Sequence, residues 1–90
     1  MTGVSRRVQA RVRREFGARD AELALDKLKG LHAEKQSPER LHAAVVLLAR
    51  GDLARVAWAS AIDWRDAFVW SGLGSNWERR VEEEFGPVVE

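Results

Sequence analysis

Apolar residues recur along this chain at three- and four-residue intervals and never alternate with polar ones over a strand's length, so the pattern predicts helices throughout. Val4, Val8, Val12 and Phe16 stand at strict i, i+4 steps and draw one narrow stripe that Gly17 ends. Each such step turns the stripe by about 40°, so a straight helix cannot hold all four residues on one flat surface. Val12 and Phe16 are therefore expected to be packed, and residues 1–7, with Val4 and the Arg6-Arg7 turn, to be frayed or docked on another chain. Ala21, Ala24, Leu25, Leu28 and Leu31 form the next stripe, with Asp20 as its N-cap and Gly30 weakening its last turn.

Ser37-Pro38 is the clearest start signal, an N-cap hydroxyl followed by a residue suited to the first helical position. From Leu41 to Ala49 the chain is apolar over most of a helix's circumference, which marks a central helix closed by Arg50 and Gly51. Asp52 restarts the chain, and Leu53, Val56, Ala57, Ala61 and Ile62 continue as a fourth helix. Asp63 is a cap for Trp64, Ala67 and Phe68, and whether residues 52–72 form one bent helix or two is left open. Gly72-Leu73 has the form of a C′ glycine with its apolar follower. Ser75 and Glu78 have capping-box spacing ahead of Trp77, Val81 and Phe85, and Gly86-Pro87 stops that helix before a loose tail at 87–90. These signals predict one all-α domain over residues 1–90, with five to six short helices in an irregular or orthogonal bundle.

Composition narrows the chemistry. The chain has 90 residues, 46% apolar and 32% charged, with four Trp and no Cys. Disulfides, thiolate zinc sites, iron–sulfur clusters and a Cys nucleophile are excluded, and disorder is disfavoured. No apolar h-region or 20-residue apolar span is present, so no membrane segment and a cytoplasmic setting are expected. His42 has only Glu39 as a carboxylate at helical spacing, the pattern of a surface pair, and His32 stands alone. Asp63 and Asp66 suit capping better than catalysis. Phosphate loops and nucleophile elbows are absent, so no catalytic, cofactor or metal residue is assigned and no enzyme is expected.

Charge is uneven. Residues 1–19 hold six Arg and one Glu, residues 78–90 two Arg and five Glu, although the whole chain carries only +1. A short echo sharpens the contrast: R-V-x-x-E-F-G occurs at 11–17 and again at 80–86, with Arg13 and Arg14 where the second copy has Glu82 and Glu83. The two ends either complement each other, within one chain or across a dimer, or the basic helix meets a phosphate backbone. Among the tryptophans, Trp58 and Trp64 are expected in the core. Trp70, about 240° around the helix from Trp64, points elsewhere.

Three segments carry a resemblance. Glu39-Arg40-Leu41-His42-Ala43-Ala44, then Ala49-Arg50-Gly51-Asp52-Leu53, then Asp63-Trp64-Arg65-Asp66-Ala67-Phe68-Val69 are similar to small uncharacterised bacterial helical proteins with an E-R-x-x-A-A, G-D-L, D-W/Y-R-D-x-L-V-x-A-G succession. The resemblance covers residues 38–74 and implies a bacterial cytosolic setting, with no activity or ligand.

The expectation is a non-enzymatic protein–protein interaction module, self-associating as a homodimer or binding a protein partner. Its candidate surface is Trp70, Trp77, Arg6, Arg7, Arg13, Arg14, Glu82 and Glu83. The alternative is sequence-independent nucleic-acid binding through the Arg-rich first helix. A helix-turn-helix around Gly51-Asp52 fails, because Leu53 to Ile62 offers a single Arg to a DNA groove.

Overall fold

The computed structural model describes residues 3–31 and 36–87. Among them are six helices and no strand: α1 (Arg6–Glu15), α2 (Ala18–Lys29), α3 (Pro38–Ala49), α4 (Leu53–Ala61), α5 (Trp64–Ser71) and α6 (Trp77–Phe85). The radius of gyration is 11.7 Å, close to the ~12 Å of a folded chain of this length. This is an all-α single domain.

The near-continuous apolar run of α3 puts it at the centre. Leu41 to Val46 are buried without a break, and the helix touches α1, α4, α5 and α6. One side of α3, with Val45, Val46 and Ala49, packs on α1, α2 and α4 around Val8, Val12, Leu28 and Val56. The other side, with Leu41, Ala43 and Ala44, packs on α5 and α6 around Phe68, Leu73 and Val81. Leu31, Leu48 and Phe85 touch both clusters and join them into one core.

Local signals set most of the boundaries. Ser37 Oγ accepts from the Arg40 N–H at 3.4 Å, Asp52 from Ala54 at 2.9 Å and Asp63 from Arg65 at 2.8 Å. Ile62 is extended (φ −78°, ψ 161°), which breaks residues 52–72 into two helices. Gly72 is left-handed, and the Leu73 N–H donates to the Phe68 carbonyl at 2.9 Å while Leu73 is fully buried. Two caps differ from expectation. The N-cap of α2 is Gly17, which leaves Asp20 in the first turn, where its charge suits the dipole. The N-cap of α6 is Asn76 without a side-chain bond, so Ser75 and Glu78 form no capping box.

The first helix is a larger correction. Val4, Val8, Val12 and Phe16 are all buried, and Arg7 with them. The stripe does drift, but the surface it meets is not flat: α1 touches α2, α3 and α6, and all four residues join one core cluster. Val4 and Arg7 are therefore packed within this chain, neither frayed nor docked on another, while Arg6 stays exposed. Residues 1–2, the segment holding His32, and 88–90 of the expected loose tail lie outside the described residues.

Candidate interaction surface

Arg7 sits where the amino-terminal turn, α3 and the end of α6 converge. Its Nε and Nη2 donate to the two Glu39 oxygens at 2.7 Å each, and Nη1 donates to the Gly86 carbonyl at 3.0 Å. Ser5 Oγ adds a third bond to Glu39 at 2.7 Å. The bonds from Arg7, and then that from Ser5, hold the Glu39 carboxyl below the usual carboxylate range. Glu39 in turn raises Arg7. His42 is buried one turn along, not on the surface as expected, and its Nδ1 has no partner. Burial pushes its pKa down, against the pull of the Leu28 carbonyl and of Glu39.

The remaining basic side chains of α1 divide. Arg11 bonds Glu15 at 2.8 Å, reaches Glu84 of α6 at 3.7 Å, donates to the Glu84 carbonyl and lies over the Phe85 ring. Arg13 pairs with Glu22 of α2 at 3.4 Å. Arg6 and Arg14 are exposed and make no ion pair among the described residues. On α6, Glu83 pairs only with its own helix neighbour Arg79 at 3.8 Å, and Glu82 is exposed. The two ends of the chain thus meet within the monomer through Arg7, Arg11 and Glu84, with the Glu82 charge also acting on Arg7, and not through Arg13, Arg14 and Glu83.

The aromatic residues also divide. Trp64 packs on the core with Phe68, ring centroids 5.3 Å apart. Trp77 is half-buried on the same cluster, with the Arg40 guanidinium 6.0 Å from its ring and 3.9 Å from that of Phe68. Arg40 also donates to the Leu73 carbonyl at 3.0 and 2.9 Å, so Trp77 belongs to a structural clamp. Trp58 is the reverse correction: it is 47% exposed, because Val56 and Ala59 set the inner face of α4 and Trp58 lies about 100° or more from each. Ala57 and Ala61 face outward with it. Trp58 stacks on Trp70 with ring centroids 5.9 Å apart and planes 5° from parallel. Trp70 is 56% exposed and its neighbour Val69 74%.

Beside this pair a cleft of about 480 Å³ opens, bordered by Arg50, Arg55, Arg80, Glu15 and the two indoles. Arg50 is left-handed (φ 50°, ψ 42°), the only described non-glycine residue with a positive φ. At Gly51, φ is 80° and a Cβ would stand 3.0 Å from the Glu15 carbonyl oxygen, so this turn demands glycine twice over. Of these residues only Trp58, Trp70 and the Arg50-Gly51 close were visible in the sequence. The cleft joins α1, α3, α4, α5 and α6 and has no local signature.

No group of three or more potential metal ligands occurs among the described residues, and none of their helices is long and apolar enough to cross a membrane. Comparison with protein-family models, curated proteins and solved structures finds no match to this chain.

Proposed function

We propose that this domain is a non-enzymatic protein–protein interaction module of the bacterial cytoplasm and that it associates with a second copy of itself through the outer face of α4 and α5. One observation carries the reading: Trp58, Val69 and Trp70 form a contiguous apolar surface in a domain that has already buried a core on both sides of α3. Two large indoles held rigid against each other lose little conformational freedom on docking, which is why tryptophan dominates binding hot spots. Symmetry favours a second copy as the occupant: a two-fold axis beside the patch buries the aromatic pairs of both copies against each other, since each contact is made twice. Arg50 and Arg55 flank the pair without an ion-pair partner among the described residues, which keeps the rim of that contact charged. The bacterial setting is what the resemblance over residues 38–74 implies.

Sequence-independent nucleic-acid binding through α1 is the second reading; of its five arginines, Arg7, Arg11 and Arg13 pair within the fold and Arg6 and Arg14 stay exposed. Sedimentation equilibrium over a range of concentrations and at low and high salt tests the proposal. The expected result is a monomer–dimer equilibrium weakened by salt and lost in Val69→Asp. A monomer at every concentration overturns it.

A further inference from the structure

The concave side of the aromatic pair poses a separate question. Arg11, Arg50, Arg55 and Arg80 border one cleft with Glu15 and Glu84; Arg11 is paired with Glu15 at 2.8 Å and Arg80 with Glu84 at 3.3 Å, while Arg50 and Arg55 have no carboxylate partner among the described residues. Gathering guanidinium groups costs electrostatic energy that an anion in their midst would relieve. Trp58 and Trp70 both line the cleft, and because they stack on each other each keeps one outer π face free of the other ring. Glu15 also lines the cleft, but its carboxylate is committed to the fold: one oxygen is bonded to Arg11 and the other is buried away from solvent. Arg50 is held at the rim by a left-handed backbone, a conformation most residues avoid and one that clusters at ligand-binding positions. The volume falls within the range of small-ligand sites.

From this geometry we infer that the cleft binds a nucleoside phosphate, with the base on the Trp58–Trp70 stack and the phosphate on Arg50, Arg55 and Arg80. Two features divide the ligand between them: a planar aromatic body suits the indoles, and a compact multivalent anion suits the guanidinium forks. An acidic peptide would satisfy the arginines and leave the flat stack without a matching face. The ligand can be a free mononucleotide or one unit of a single strand, because both present the same base and phosphate. The inference does not depend on self-association.

The test uses the full chain with ¹⁵N-labelled tryptophan, at low salt and at a concentration whose oligomeric state is measured in parallel. The four indole N–H signals are followed during titration with adenosine monophosphate, adenosine, inorganic phosphate, a short oligodeoxyadenylate and a glutamate-rich peptide. The expected result is a saturable shift of the Trp58 and Trp70 signals with adenosine monophosphate below about 1 mM, while Trp64 and Trp77 stay in place. Adenosine and phosphate alone should each bind at least about tenfold more weakly. Arg50→Ala/Arg55→Ala should weaken the nucleotide by a similar factor. Both side chains are exposed, so the fold should survive, and an unchanged circular-dichroism spectrum checks it. Tighter binding of the oligonucleotide, with a steep salt dependence, assigns the site to single strands; equal or weaker binding assigns it to free nucleotides. The inference is overturned if no indole signal shifts, if adenosine binds as well as its phosphate, if the arginine pair is irrelevant, or if the acidic peptide binds as tightly as the nucleotide.

Discussion

Arg7 and Arg6 are neighbours in sequence with opposite fates. Arg7 makes a bidentate pair with Glu39 and a third bond to Gly86, while Arg6 faces solvent. Removing one partner of a buried pair strands the other, so Arg7→Ala should cost about 2–4 kcal/mol. Arg6→Ala should stay within about 0.5 kcal/mol, and urea unfolding of the two variants compares them directly. The same turn makes stability pH-dependent. The folded His42 binds its proton more weakly than the ordinary imidazole value of 6.5, so the unfolded chain takes up a proton first as pH falls through that value. Stability is lost on acidification below it. Glu39 acts in the same direction one step lower: its folded pKa lies under 4.5, so its contribution is present above that value and disappears as the folded carboxylate is protonated. Thermal unfolding between pH 7 and 5 should show a falling midpoint, and His42→Gln should flatten that interval without touching the loss at lower pH. An equal slope in the variant would exclude His42 as its source.

At the scale of elements, much was legible because the signals are local. Caps at Ser37, Asp52 and Asp63 and the Gly72-Leu73 close need only residues within one turn of one another. What the pattern could not supply is the third dimension. The stripe of α1 drifts, and only the position of α2, α3 and α6 around it explains why Val4 and Phe16 are buried alike. Trp58 misleads for a related reason: large aromatics usually mark a core, yet the inner face of α4 is set by Val56 and by Ala59, a residue too small to announce itself. The α3–α4 joint combines both lessons. Gly51 looks like an ordinary helix stop, but its Cβ position is claimed by the Glu15 carbonyl of a distant helix. Gly51→Ala should therefore cost about 1–3 kcal/mol, more than a helix stop alone would, with the loss read from the urea midpoint. A cost below about 0.5 kcal/mol would mean that α1 moves aside freely.

For the whole molecule, the fold uses its basic helix to hold itself together and leaves aromatic surface outside. Arg7, Arg11 and Arg13 tie α1 to α3, α6 and α2, whereas Trp58 and Trp70 cover one another and little else of the core. The central claim is that this pair is kept for binding and not for stability. Urea unfolding of Trp58→Ser/Trp70→Ser tests it most directly. The loss should be about 2–4 kcal/mol, the worth of two half-buried indoles and their stacking contact. A loss of about 6–10 kcal/mol, the cost of truncating two buried aromatic residues, would place the two indoles in the core and contradict the account.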